Sequence, residues 1–345
     1  MPSKEPPPAS EPTGPDPGGT RLAAVSTRHF AGVGSEQEVL GELQVLFTRS
    51  GNTLVDIARW YNLGYEELRQ ANPGVDVWLP GEGTPVYLPT MTVIPVAPRD
   101  GLVLNLPSMR LLYFVPEEAA TANAGPTWSV TSHPMGIGRE SWPTPTGQAE
   151  VTVKALNPTW YPPASVRAEH AELGDPLPGI VPPGPDNPLG RHLFGLSLPG
   201  YLIHGTNKPP GVGMRVSHGC IRLYPEDIEA LYERVALGTP VHIVDQPVLA
   251  GWHDGKLYLE VHPPLTEDER DLGIEAERVI ATALQRAGRA KAAIDAQAVA
   301  RIIAERSGMP FPILQRAQTL DVYLANSRLI ENDVPVTDSG ATASR

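Results

Sequence analysis

One cysteine, Cys220, stands in 345 residues, so the chain can neither close a disulfide on itself nor build a multi-cysteine zinc site. That count leaves the redox compartment open. Aromatic residues are scarce at 6%, and no stretch approaches the roughly 18 consecutive apolar residues that a bilayer span needs. No transmembrane segment is expected. Positive charge is also in deficit: 27 Lys and Arg against 39 Asp and Glu leave a formal net charge of -12. Such a field repels nucleic acid and anionic lipid, and neither is an expected partner.

Proline is abundant, 39 residues against 33 glycines, a mixture that favours rigid turns and strands over long helices. With 41% hydrophobic and 19% charged residues the bulk of the chain can bury cores, and its length suits two or three domains. The first twenty residues, MPSKEPPPASEPTGPDPGGT, have no apolar run of a secretory signal and read as a proline-rich tether. Either the protein works without export, or the chain starts after a removed signal.

Residues 41–89 form a compact unit. Leu54, Ile57, Ala58 and Tyr61 recur at helical spacing, with Asn52 or Thr53 as cap and Gly64 as stop. A second helix spans about Glu66 to Ala71 and ends at Asn72-Pro73-Gly74, with strands VLFT before and PVYLP after. The order strand, helix, helix, strand in GNTLVDIARWYNLGYEELRQANPG and LPGEGTPVYLP resembles a LysM module, a small βααβ domain. Asn52 stands where such modules usually carry Asp, a change that keeps the cap. The resemblance implies binding to N-acetylglucosamine-containing glycan.

Beyond a proline-containing linker, GLVLNLPSMRLLYFVP, TWSVTSHPMGIG and TPTGQAEVTVKALN read as strands, and residues 156–190 as a long ordered loop or lid. GRHLFGLSLPGYLIHG supplies two short strands, with His204 at the end of the second. PEDIEALYERVALG places Ile228, Leu231, Tyr232 and Val235 on one helical face, from Pro225 to a stop at Gly238. A strand, TPVHIVDQP, follows. Two further helices are expected, one from a Thr266–Glu269 capping box with Leu272, Ala276, Val279, Ile280 and Ala283 inward, one over about Asp295 to Arg306. They are expected to pack on the domain that precedes them.

HGTNKPPGVGMRVSHGCIRL, residues 204–223, holds the thiol between two histidines and an arginine. A thiol attacks as its thiolate and needs a base or a cation beside it. His218 is two residues from Cys220, on one loop; His204 is sixteen positions back, on a strand rigid enough to hold an imidazole in reach. That rigidity favours His204 as base. Gly219 allows backbone to approach a substrate, amides around Gly219 and Cys220 can face an oxyanion, and Arg222 can fork onto a carboxylate. Composition alone favours a small buried thiol over a nucleophile.

The run Ser217-His218-Gly219-Cys220-Ile221-Arg222-Leu223, after His204-Gly205, resembles the signature of the L,D-transpeptidase catalytic domain of the YkuD type. MGIG, TPTG, PTWYPP, VPPGPDNPLG, IHGTN and VDQP are similar to its Gram-negative periplasmic branch. The implied fold is multidomain α+β: a tether and lead-in over 1–39, the LysM module over 40–90, a mainly-β catalytic domain over 98–247, a C-terminal helical segment over 248–330 and a loose tail over 331–345. The implied chemistry is attack by Cys220 on the diaminopimelate carbonyl of a tetrapeptide stem, release of D-Ala, and transfer of the acyl group to an amine. That amine belongs to a second stem in a 3-3 cross-link or to a lysine-bearing lipoprotein.

The resemblance also implies His204 as base with its tautomer held near Gly205, and Ser217, His218 and Gly219 shaping the loop. Tyr201, Trp160 and Arg222 are candidates to line the substrate cleft, and Lys208, Arg215 and Arg139 to meet stem carboxylates or to remain solvated charges. His133 reads as a structural or rim residue. No metal or cofactor is expected, because HExxH is lacking and His204, His218 and Cys220 already have a metal-free role. A papain-like peptidase places its cysteine before its histidine, the reverse of the order here. The non-enzymatic alternative is a cell-wall-binding scaffold carried by the LysM module. The resemblance places the protein in the periplasm or cell envelope.

Overall fold

The computed structural model describes residues 28–118, 125–265, 268–315 and 319–335. The expected tether through residue 27, the Thr266 cap and the tail from residue 336 lie outside them. The rest of the expected lead-in is ordered: β1 (Arg28–Gly34) pairs antiparallel with the later strand that ends at Pro134. Then come β2 (Val39–Leu40), β3 (Gln44–Phe47), α1 (Leu54–Trp60), α2 (Tyr65–Ala71), β4 (Pro85–Leu88) and β5 (Thr92–Val93).

Residues 44–88 have the βααβ order, with β3 and β4 antiparallel. Thr53 caps α1, its hydroxyl accepting the Asp56 amide at 3.1 Å, while Leu54, Ile57 and Ala58 turn inward. The helix stops before Asn62, whose φ is 53°. Gly64, expected as that stop, instead begins α2, its amide bonded to the Glu67 carboxylate at 2.9 Å.

The central domain consists of β6 (Gly101–Asn105), β7 (Arg110–Pro116), β8 (Thr127–Pro134), β9 (Ile137–Gly138), β10 (Gly147–Leu156), α3 (Ala164–Glu172), β11 (His192–Leu196), β12 (Leu202–His204), β13 (Arg215–Ser217), β14 (Ile221–Arg222), α4 (Pro225–Arg234) and β15 (Pro240–Val244). Among the described residues nine strands form one sheet, ordered β1-β8-β7-β6-β15-β10-β11-β12-β14. β10 bends so that its first half pairs with β15 and its second with β11. Leu102, Leu104, Phe194, Ile203, Ile221 and Ile243 from the strands meet Ile228, Leu231 and Val235 of α4 and its end. Alternation in the strands and the i, i+3, i+7 spacing of the helix put those residues on facing surfaces. That helix ends at Arg234, earlier than the expected stop at Gly238. The stretch 156–190, read as a loop, contains α3.

The βααβ unit is seated on this domain through the turn between its helices. The amides of Tyr65 and Glu66 donate to the carbonyls of Val212 and Gly213 at 3.1 Å each. A Cβ on Gly213 would lie 2.4 Å from the Cα of Gly64, so only glycine permits the approach. Beside it, Asn62 donates to both Asp227 carboxylate oxygens at 2.8 and 2.9 Å, and Tyr224 donates to the Leu63 carbonyl at 3.0 Å. Arg59 pairs with Glu226 at the rim.

Residues 248–330, expected to be helical, open with a hairpin of β16 (Val248–His253) and β17 (Lys256–Val261). α5 (Leu272–Arg286), α6 (Ala296–Glu305), β18 (Phe311–Pro312), α7 (Leu320–Ala325) and β19 (Arg328–Leu329) follow. Asp271 caps α5, bonding the Gly273 amide at 2.7 Å; the helix begins there and not at Thr266.

Ala276, Ile280, Ala283, Leu284 and Ile302 pack on the hairpin and on Val39, Leu43, Met91 and Val93. The expected packing on the central domain is therefore corrected: the hairpin's buried Val248, Leu249, Leu257, Tyr258, Leu259 and Val261 supply the surface. The tail is not loose up to residue 335. β19 adds to β3 in parallel, Val334 is fully buried in the βααβ core, and Asn332 bonds Asn52 at 2.8 Å.

Candidate active site

β12 and β14 run side by side in parallel, Ile203 opposite Ile221 and His204 opposite Arg222. Strand side chains alternate in direction, so Cys220, two residues before Arg222, continues the face that carries Arg222 and His204. The parallel register thus sets the imidazole of His204 on the same side of the sheet edge as the guanidinium of Arg222 and, by alternation, the thiol of Cys220.

His204 is buried, 5% exposed, and its Nδ1 lies 2.6 Å from the Gly205 carbonyl. A carbonyl only accepts, so Nδ1 carries the proton and Nε2 is left with its lone pair. Burial and the Arg222 charge push its pKa down to about 3 against the partial support of the Gly205 bond. The ring is therefore neutral at working pH, in the form able to accept a proton. Cys220 is half-buried, and its S–H points to the Gly200 carbonyl at 3.8 Å. Burial raises its pKa above the usual thiol value, outweighing the Leu202 backbone and the Arg222 charge. At neutral pH the thiol and the imidazole are therefore both uncharged.

The loop around the thiol is held from several sides. Ser217 donates its hydroxyl to the Cys220 carbonyl at 2.5 Å. Thr144 accepts the Gly138 amide and donates to the Gly219 carbonyl, both at 2.9 Å. Gly219 has φ +96°, and a Cβ there would meet Tyr201 Cε1 at 2.9 Å, so both the dihedral and the space require glycine. Arg222 exchanges backbone bonds with Gly136 at 2.8 and 2.9 Å, and its Nη1 occupies the position a Cβ of Gly211 would crowd at 2.8 Å.

Residues 99–243 match the L,D-transpeptidase catalytic domain, and residues 250–313 the L,D-transpeptidase C-terminal domain. The chain is 40% identical over 268 residues to the probable L,D-transpeptidase YcfS of Escherichia coli, covering 76% of this chain and 81% of that one. To the probable L,D-transpeptidase YbiS of the same species it is 39% identical over 277 residues, 79% and 87% of the two chains. The probable L,D-transpeptidase ErfK/SrfK of Salmonella typhimurium is 36% identical over 285 residues, 80% and 87%. The chain belongs to the L,D-transpeptidase family.

In this L,D-transpeptidase the expected site residues fall into two groups. Cys220, His204, Gly205, Ser217, Gly219, Tyr201 and Arg222 form the constellation just described. Trp160 is joined elsewhere, its backbone exchanging bonds with Val181 at 2.9 Å each way. His133 is buried, with Nδ1 2.8 Å from Asp227 and Nε2 3.0 Å from Thr131, and is structural. Arg215 sends Nε to the Gly138 carbonyl at 3.2 Å, which ties it to the loop bed.

His218 turns away from a simple loop role. Its Nε2 donates to Glu169 of α3 at 2.7 Å, and the edge of Trp142 meets its ring at 5.3 Å between centroids. Burial and Arg139 lower its pKa, against the pull of Glu169.

Thr144 and Glu169 are the residues the sequence reading passed over. TPTG reads in sequence as the lead into a strand and as a family string, with no role for Thr144, and Glu169 sits in a segment whose prolines and glycines conceal a helix. No side chains able to form a metal site of three or more His, Cys, Asp or Glu occur among the described residues, and no helix there is long and apolar enough to cross a membrane.

Proposed function

We propose that Cys220 is the nucleophile and His204 the base of a peptidoglycan L,D-transpeptidase. The observation that carries this reading is the Nδ1 bond of His204 to Gly205, which leaves Nε2 as the acceptor on the face shared with the thiol. The Cys220 proton passes to Nε2 as sulfur bonds to the carbonyl carbon at the L-centre of diaminopimelate, residue three of a tetrapeptide stem. Because the resting thiol pKa is raised, proton transfer accompanies attack and no stored thiolate precedes it.

The tetrahedral oxyanion is met by backbone amides near Gly219 and Cys220, held by Thr144 and Ser217. Collapse breaks the amide bond, His204 returns the proton to the departing D-Ala amine, and an acyl-thioester remains. An acceptor amine then attacks the thioester carbon, gives its proton to His204, and the thiol is restored. A second diaminopimelate makes a 3-3 cross-link, a lysine side chain anchors a lipoprotein, and water gives carboxypeptidase activity. The βααβ unit of residues 44–88 serves as a LysM module that holds glycan strands near the cysteine, and the protein works in the periplasm.

Intact-protein mass spectrometry with a purified disaccharide-tetrapeptide tests this. An adduct equal to the substrate minus D-Ala is expected on the native chain and not on Cys220→Ala of unchanged circular dichroism. Glycan binding with neither adduct nor D-Ala release would overturn the mechanism in favour of a wall-binding scaffold.

A further inference from the structure

Helix α3 (Ala164–Glu172) lies over the cysteine loop with little apolar contact. Val166 is its one buried residue, and one turn further on the inward face continues with Glu169 and His170, both half-buried. The Glu169 carboxylate bridges two basic side chains of the loop bed, one oxygen on Nη2 of Arg139 and the other on Nε2 of His218, the latter at 2.7 Å. Arg139 and His218 are themselves neighbours, Nη2 3.2 Å from Nε2. The Arg139 amide also bonds the Ser217 carbonyl at 3.1 Å, so both basic groups are fixed to the backbone that carries Cys220.

The three side chains are 20%, 28% and 25% exposed for Arg139, Glu169 and His218, and ion pairs open to water in this way are weak. The base of the excursion is held separately, by buried Asn187 donating to the Pro158 carbonyl at 2.8 Å and by the Trp160–Val181 bridge. At the tip the Glu169 carboxylate is a polar tie to the loop bed, beside the buried Val166 and the His170 ring 6.3 Å from that of His218. Glu169 uses the guanidinium through Nη2, whereas Nε is buried with no hydrogen-bond partner, so the fork of Arg139 has a donor that Glu169 does not take up.

We propose that Arg139 and His218 form a subsite for a free carboxylate of the stem peptide, and that Glu169 of α3 fills it until the peptide displaces it. The subsite deepens the proposed reaction and rests on the stem peptide being the substrate. Two carboxylates of that peptide have the required chemistry: the terminal one of D-Ala and the side-chain one of diaminopimelate. Glu169 is then a positioning residue that gates access to the cysteine, and Arg139 sets specificity for an acidic peptide.

The test is calorimetric binding of the disaccharide-tetrapeptide, and of its two monoamidated forms, to the full chain carrying Cys220→Ala. One amidated form is expected to bind roughly tenfold more weakly than the diacid, as loss of a charge-assisted pair requires, and which one it is names the carboxylate. Adding Arg139→Gln should weaken the diacid and close that gap. Adding Glu169→Gln should tighten the diacid by about fivefold, the worth of an exposed pair, and leave the gap in place.

Equal binding of all three forms, no binding of any form, or a gap that survives Arg139→Gln overturns the subsite. Unchanged or weaker binding in Glu169→Gln overturns the gate. If Arg139→Gln does not fold, Arg139→Lys keeps the charge without the fork and should narrow the gap. D-Ala release by the chain with its cysteine is measured separately: release absent with the binding pattern present removes the proposed reaction and leaves the subsite standing.

Discussion

His204 lies directly opposite Arg222 on adjacent parallel strands, and the positive charge of Arg222 helps to keep the buried imidazole neutral. One arginine thereby acts on both members of the proposed catalytic pair, since it also draws the Cys220 thiol pKa down against the larger effect of burial.

The neutral state of His204 predicts acid sensitivity. Between pH 6.5 and about 3 the unfolded chain holds a proton on this imidazole that the folded chain does not, so stability falls as pH falls through that window. The contribution is at most about 5 kcal/mol. Thermal melting of the native chain and of His204→Gln should show a shallower decline from pH 6.5 to 4 in the variant; parallel declines would place the acid-sensitive groups elsewhere.

Replacement of the two histidines should separate their roles. His204→Ala is expected to lower D-Ala release by about 100-fold or more, the usual contribution of a general base. His218→Ala should lower it less, because that ring is engaged by Glu169 and not by the strand pair. The opposite order in a steady-state assay would move the base to His218.

A raised thiol pKa predicts slow alkylation. Iodoacetamide should modify Cys220 at pH 7 more slowly than it modifies free cysteine, with a rate that climbs as pH rises past the ordinary thiol range. Fast labelling at neutral pH, followed by mass spectrometry, would mean a stored thiolate and a different activation step.

Gly219 is constrained by dihedral and by space together. Gly219→Ala places a Cβ 2.9 Å from Tyr201 in a backbone of φ +96°, which costs about 1–3 kcal/mol. Urea unfolding should register that loss, and activity should fall further than the folded fraction, because the displaced carbonyl is the one Thr144 holds.

Asp227 ties the βααβ unit to the catalytic domain by joining Asn62 and His133 in a buried network. Asp227→Ala removes the shared acceptor and strands two buried donors, a loss of about 3 kcal/mol or more. Chemical denaturation should show it, and Asp227→Asn, which keeps one acceptor oxygen, should lose less. An unchanged midpoint in Asp227→Ala would show that the network does not hold the two units together.

Much of this was legible in the chain itself. Leu54, Ile57 and Ala58 announce α1 because burial on one side of a helix leaves a 3.6-residue period, and Pro225 with Ile228 and Leu231 announces α4 in the same way. The cysteine motif is equally local, since Ser217, Gly219 and Cys220 act within one turn of backbone. The helix α3 was hidden because its inward face is Val166, Glu169 and His170, which has no apolar period to read. The hairpin of β16 and β17 was hidden beside stronger helical signals downstream.

By itself the sequence determined the local elements with an amphipathic period, the family to which the chain belongs, and the residues proposed as nucleophile and base, because each depends on neighbours in sequence or on a short motif. Only the tertiary structure decided that His204 is neutral with its Nδ1 on the Gly205 carbonyl, that His218 is held by Glu169, and that the chain from Arg328 to Val334 closes the βααβ core. The state of His204 depends on burial and on the charge of Arg222 across the strand pair, and the other two outcomes on partners 49 to 285 residues away, distances over which no periodicity in the sequence carries information.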